Sequence, residues 1–500
     1  RANRMWIWPL KGRRKIYTDE KEINSNNIIK VLSDAYSVHR KNQMEMQYLI
    51  DFEAGIQPLQ RPKIVRPEIN IEVTDNVANY VTEFKLAYFW GTPAMLIQRS
   101  DKDAHNTSAD SDDAGISAMN EMLANGCSIG YKNQELGNFV EKVGIGYRLV
   151  DIKTDFSEEK EALVDICTLD PRFTFCIYSN SAKQKKLLGV TFRKIKGRIY
   201  YTCFTKQTRY EISQGKIKSA TINPMESIPI VEYERAVDRT GCFERHLSDC
   251  TELNTLVSDF ANLTAQQTQE IWWGNDVDFP IDPKTKKPIE VKSGQWVLTS
   301  TTPDGKTPQI KALSNAFDTN ATLTAIDTRW RRILQKCKVP TQQDSEGGGS
   351  TGTAMDMSSG WSAAETEAVR EEQMASKAQR EELRLIIKAL EFVPETILPE
   401  KAPIRDIHVG DINFHFSRRK NYDMSVKANA LSTLIKTGVH GRHALKFIDG
   451  FEDTEATWND SREMIESIQQ AAASGNAANE ENRSDRQIDQ LKTSPITGKV

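Results

Sequence analysis

Residues 341–360 read TQQDSEGGGSTGTAMDMSSG, and the rest of the chain arranges itself around them. Gly347, Gly348, Gly349 and Gly352 free the backbone, Asp344, Glu346 and Asp356 are its only charges, and no packed core can be built from such a composition. The stretch before it, Asp318 to about Lys338, is written as a helix. Leu323, Ile326, Trp330, Ile333 and Leu334 recur at helical spacing behind an N-capping Asp318. Arg329, Arg331, Arg332, Lys336 and Lys338 crowd its last turns, where cations suit the helix dipole, and Pro340 stops it. The stretch behind, Trp361–Ala389, is strong helix ended by Pro394, about 45 Å long at ~1.5 Å per residue. The sequence predicts a flexible acidic loop pinned between two rods.

Five hundred residues allow two to four domains, and 66 basic against 69 acidic residues leave a net charge of −3. A protein that grips nucleic acid by bulk charge is not built this way; the balance fits a conduit and many cytosolic proteins equally well. Seven cysteines without a CxxC pair predict free thiols in a reducing compartment. No apolar run approaches the ~20 residues of a membrane span, and RANRMWIWPLKGRRK at the start has no secretory core. The expectation is a cytoplasmic protein until it is assembled.

In chain order, residues 1–20 form a basic arm with Trp6 and Trp8, expected to pack on a neighbour, with DNA contact as the alternative. Residues 24–52 are helical, and Gly55–Pro67, with three prolines, is an extended linker. In 72–100, Val77, Tyr80, Val81, Phe84 and Tyr88 line one face of an Asn-led helix that ends at Phe-Trp-Gly-Thr-Pro, with Gly91 as C-cap. DKDAHNTSADSDDA, 101–114, reads as a solvated loop, since its spacing fails the EF-hand template. A helix at Asn133–Val143 leads into alternating, aromatic-rich runs to residue 235, an antiparallel β-rich domain. Residues 243–271 are a helix with the apolar stripe Leu247, Leu253, Leu256, Val257, Phe260 and Leu263. His246 and Cys250 lie one turn apart on it, but no further ligand follows at zinc-site spacing. Residues 272–316 are a compact insert with Trp272, Trp273 and Trp296, a basic turn at Lys284, Lys286 and Lys287, and strands in IEVKSGQWVLTS and PQIKAL. Residues 404–416 alternate as a strand, Asp423–Thr437 is helical, short helices follow, and 471–500 is polar enough to be disordered.

No catalytic arrangement is readable in the sequence. GGGSTGT lacks the Lys of a phosphate-binding loop, no GxSxG elbow occurs, and His440 and His443 stand outside any HExxH. No catalytic residue, metal ligand or cofactor is assigned.

Three features together resemble the portal proteins, the head-to-tail connector subunits of tailed double-stranded DNA bacteriophages, of the type found in many long-tailed phages. They are the helix running into Phe89-Trp90-Gly91-Thr92-Pro93, the Ile228-Pro229-Ile230-Val231-Glu232-Tyr233 strand closing a β-domain before a long helix, and the order helix, small insert, helix. The resemblance covers about residues 25–470. It implies an α+β portal fold: arm and wing over 1–242, first stem helix 243–271, clip 272–316, second stem helix 317–339, tunnel loop 340–360, long helix and returning wing strand 361–422, and helical crown 423–470. It implies a structural, non-enzymatic subunit of a ring, a dodecamer by family, at one capsid vertex of the virion after assembly in the host cytoplasm. Double-stranded DNA would pass through the channel, with terminase, a head-to-tail adaptor, and major capsid and scaffolding proteins as partners, and no membrane. The tunnel loop would present Asp344, Glu346, Gly347, Gly348, Gly349, Ser350, Gly352, Met355 and Asp356 to the channel. The basic residues of the second stem helix would divide between channel and neighbouring subunit. Trp273, Lys284, Lys286, Lys287 and Trp296 would serve partner docking at the clip. The alternative is a DNA-acting head-morphogenesis enzyme such as a nuclease.

Overall fold

The computed structural model describes residues 11–59, 70–98, 109–156, 161–267, 271–275, 309–313, 319–341 and 360–416, and beyond them 418, 424–441, 444–445, 458, 461–465 and 467. The chain falls into two units, Arg1–Phe416 and Ser417–Val500.

The first unit begins with β1 (Ile16–Thr18) and α1 (Ile28–Glu53). Residues 11–18 were expected to pack on a neighbour. They pack on their own chain, where Arg13 is buried on Glu244 at 2.6 Å and β1 lies parallel to a strand of the main sheet, while residues 1–10 lie outside the described residues. α2 (Val77–Trp90) starts where Asn76 Oδ1 accepts from the Asn79 N–H. It ends at Gly91, whose φ of −64° any residue could adopt. The glycine is needed there for space, since a Cβ would come 2.2 Å from the Ala87 carbonyl oxygen.

After β2 (Met95–Gln98) comes α3 (Ala109–Glu121), extended by a π-turn over Met122–Gly126. Part of the expected solvated loop at 101–114 is therefore helix. Ile116, Met119 and Met122 behind the aspartates bury in the core, and that packing overrides the polar run. The first residues of that loop, 101–108, lie outside the described residues.

α4 (Ile129–Val143) leads into β3 (Ile145–Ile152), β4 (Val164–Leu169), β5 (Thr174–Ser179), β6 (Lys186–Ile195), β7 (Arg198–Phe204), β8 (Thr208–Ser213), β9 (Lys216–Ile222) and β10 (Ile230–Glu234). They form a six-stranded sheet in the order β1-β5-β6-β7-β8-β9 and a three-stranded sheet β10-β3-β4. Every pairing in them is antiparallel except β1 with β5.

α5 (Leu247–Gln267) follows, with β11 (Ile271–Asn275) and β12 (Gln309–Leu313) pairing antiparallel beyond it, then α6 (Thr319–Lys336) and α7 (Trp361–Leu390). The expected strand at 404–416 is mostly two 3-10 turns, Pro403–Asp406 and Val409–Asp411. Only β13 (Ile412–His415) is extended, and it pairs with β2.

Three cores hold this unit. The N-terminal half of α1 covers the six-stranded sheet through Ile28, Val31, Leu32 and Ala35, and its C-terminal half joins α2, β3, α5 and α6 around Met46, Leu49, Phe52 and Phe243. The third core lies under α7, whose Ala368, Ala375, Ala378, Leu385 and Ile386 meet α2, α3 and the three-stranded sheet. α5 departs from the expected apolar stripe. Leu247 and Leu253 are buried, but further along its buried residues are Asn254, Ser258 and Asn262. Each takes one backbone N–H of an extended strap: Asn262 from Ile71 at 2.8 Å, Ser258 from Val73 at 3.0 Å, Asn254 from Asp75 at 2.9 Å. Four helical residues rise ~6 Å and two extended residues ~6.6 Å, so the registers match.

In the second unit α8 (Met424–Lys436) contributes Ile435 to a small core with Ala444, Leu445, Trp458 and Ile465. The His440 ring lies tilted against Trp458, ring centroids 5.0 Å apart. No described helix is long and apolar enough to cross a membrane.

Candidate functional site

The loop that organises the sequence is closed at its base. Lys338 turns the chain off α6 in the left-handed region, φ 55°, and Gly360 re-enters it before α7 at φ 88°. A Cβ on Gly360 would stand 3.8 Å from Pro340 Cα, so the two described ends lie side by side.

A charged cluster locks that point. Glu367, two turns into α7, lies 3.2 Å from Lys338 Nζ and 3.9 Å from Lys85 Nζ of α2. Arg235, just past β10, reaches Glu367 at 2.5 Å and donates from Nε to Glu141 of α4 at 2.9 Å. Glu371 Oε1 is 2.6 Å from the same guanidinium but accepts no hydrogen bond, a Coulombic contact off the N–H direction. Trp90 Nε1 donates to the other Glu141 oxygen at 3.2 Å. Three cations face three carboxylates, and both Glu141 and Arg235 are almost wholly buried.

Burial would raise the Glu367 carboxyl, but Lys85, Arg235 and Lys338 outweigh it and hold it near 2. For Glu371 burial wins over Arg235 and pushes it up to about 7. Burial disfavours the Arg235 cation, and Glu371, Glu141 and Glu367 overcome that, so it stays charged. Aromatic rings complete the base: Trp361 packs against Phe84 and Tyr88 at centroid distances of 6.0 and 5.8 Å, and the Tyr88 hydroxyl donates to Glu365 at 2.5 Å.

The helices leading away are fixed as firmly. Arg329 of α6 pairs with Glu252 of α5 at 2.5 Å and Lys336 with Asp249 at 2.8 Å. With Lys338 on Glu367, three of the five basic residues singled out on this helix have partners within the chain, while Arg331 and Arg332 are exposed. α7 is tied to the three-stranded sheet by Arg148–Glu382 at 3.2 Å and by the Tyr233 hydroxyl, which donates to Glu382.

Asp344, Glu346, Gly347, Gly348, Gly349, Ser350, Gly352, Met355 and Asp356 lie outside the described residues, as do Lys284, Lys286, Lys287 and Trp296. Trp273 is placed by its backbone on β11, opposite Lys311. The cluster around Arg235 was not read from the sequence. Its signal is a charged residue at an apolar phase, as with Lys85 in EFKLAYF and Glu141 in NFVEKVG.

Among the described residues no group of three or more His, Cys, Asp and Glu is placed to hold a metal ion. His246 turns to Asp249 at 3.4 Å while Cys250 is buried. All seven thiols are free, and burial pushes each of them up, which disfavours the reactive thiolate.

The class defined here is an α+β protein whose long helices α6 and α7 are joined at their facing ends by a buried charged cluster. The chain belongs to the phage portal protein family of the SPP1 Gp6-like kind, whose model matches residues 65–480 of the 500. Its role is thus that of a structural portal component of the phage capsid. No curated protein matches the chain.

Proposed function

We propose that the chain is one subunit of a ring at a single capsid vertex, that double-stranded DNA passes through the ring during packaging and ejection, and that residues 341–360 line its narrowest part. α5 and α6 are the stem, residues 272–316 the clip that meets terminase and later the head-to-tail adaptor, and residues 423–470 the crown. The observation that carries this reading is the closed loop base. Lys338 and Glu367 tie the end of one helix to the start of the next, with Pro340 and Gly360 side by side, so a segment between them can move without disturbing the helices on either side. Glycines give it several conformations, so one ring can follow a DNA helix whose symmetry differs from its own. Three carboxylates per subunit and no Lys or Arg keep phosphates from sticking at fixed places.

The test is Asp344→Lys with Glu346→Lys in a packaging assay. Rings should assemble normally while packaging slows or stalls, because the loop then grips phosphates. Unchanged packaging, or a loop found on the outer wall of the ring, overturns the assignment.

A further inference from the structure

A second charged feature lies away from the loop. A cleft of about 380 Å³ opens between the β5–β6 turn and the middle of α7. Its inner charges are matched: Lys15 with Glu234 at 3.1 Å, Lys186 with Glu381 at 2.5 Å, and Glu232 with Arg239 at 2.5 Å. The two lysines at its rim, Lys183 and Lys377, are exposed and make no ion pair among the described residues, so the cleft carries a net positive charge. Gln184 beside them also lines the cleft and holds a left-handed φ of 43°, a conformation that costs a non-glycine residue.

Lys377 also belongs to a row. Arg370, Gln373, Lys377, Arg380 and Arg384 follow at steps of three and four, on the side of α7 opposite its buried alanines, and all are exposed. The row runs about 21 Å at ~1.5 Å per residue. Its cations too have no ion pair among the described residues, and like charges at i and i+4, as in Arg380 and Arg384, destabilise a helix until an anion meets them.

The same chain exposes an unmatched acidic surface at the end of that helix. Glu391, Glu395 and Glu400 are exposed and make no ion pair among the described residues. Glu391 is the C-cap of α7, where the helix dipole disfavours a carboxylate. The turn is preformed: the Arg405 guanidinium donates to the carbonyls of Leu390 at 3.2 Å, Val393 at 2.9 Å and Leu398 at 3.1 Å. A rigid turn loses little entropy on docking.

We propose that the Lys183–Lys377 cleft and the basic row of α7 receive the Glu391–Glu400 turn of an adjacent copy of this chain. The two surfaces are different patches of one molecule, so the contact can repeat head-to-tail from copy to copy, as a ring requires. It rests on the ring reading above and adds the residues that set the fit. A carboxylate-bearing turn suits a cleft of this size, whereas a DNA duplex would touch only its rim.

The test compares four proteins by native mass across protein concentration: wild type, Lys183→Glu with Lys377→Glu, Glu391→Lys with Glu395→Lys, and all four changes together. Each reversed pair should raise the concentration needed for rings at least tenfold, and the four-fold swap should restore most of it. Circular dichroism checks folding, and Lys183→Gln with Lys377→Gln replaces the first pair should it unfold. Rings formed by either pair as readily as by wild type, or a four-fold swap without recovery, overturn the docking contact while the ring stands. A wild type that never forms rings overturns both. Normal rings from the lysine variant together with weakened binding of a duplex oligonucleotide would assign the cleft to DNA, against the proposal.

Discussion

Replacing Arg235 by Met tests whether the cluster at the loop base carries structural weight. Methionine keeps most of the buried volume and removes the charge. Glu141, with a side chain 1% exposed, and Glu371, 6% exposed, then lose their nearest cation. Glu367 keeps Lys338 at 3.2 Å and the more distant Lys85 at 3.9 Å. Breaking a buried ion pair by removing one partner costs about 3–5 kcal/mol, because the other charge stays in low dielectric. That is a large share of the ~5–15 kcal/mol that holds a typical protein folded. The assay is urea denaturation followed by tryptophan fluorescence, for which Trp90, bonded to Glu141, and Trp361, packed against Tyr88, are local reporters. The expected result is a lower midpoint with these reporters changing first. Adding Glu371→Gln should recover part of the loss, since one of the stranded carboxylates is gone. A loss under about 1 kcal/mol, or no recovery in the double variant, would refute the reasoning.

Three further outcomes follow from the same structure. Glu371 is held near 7, above the ordinary 4.5, so its contribution to stability is full below about pH 4.5 and is lost as pH rises through 7. Glu371→Gln should therefore gain stability relative to wild type between pH 5 and pH 8 in thermal melts, and an unchanged difference over that window counts against it. Gly137→Ala should destabilise by about 1–3 kcal/mol despite alanine's better helix propensity, because the new Cβ would lie 2.4 Å from Trp90 Cγ, and a raised melting temperature would contradict this. Asn262→Leu strips both backbone partners from Ile71, bonded at 2.8 and 2.9 Å, and limited proteolysis should then cut the strap around residues 70–75 faster than in wild type.

Helix ends and strand runs were legible because their causes are local. Asn76 starts α2, Pro340 stops the chain after α6, alternation marks β3 to β10, and the two rods around residues 341–360 follow from periodicity alone. The Phe-Trp-Gly-Thr-Pro turn and the Ile228–Tyr233 strand, set in that order of elements, pointed to the family that the match over residues 65–480 establishes. Local reading failed where a distant partner reverses a residue's preference. Asp residues that look solvated open α3, because Ile116 and Met119 behind them found a core. Asn254, Ser258 and Asn262 look like a wet helix face and are buried, because a strap 179 to 191 residues earlier supplies their hydrogen bonds. Arg235 looks like a surface charge after a strand, yet it meets Glu367 from 132 residues away in a site that neither segment could form alone. Periodicity determined which elements exist. Only the tertiary structure could decide which charges are drawn out of water and paired, because the energy of a buried charge depends on neighbours that the local sequence does not contain.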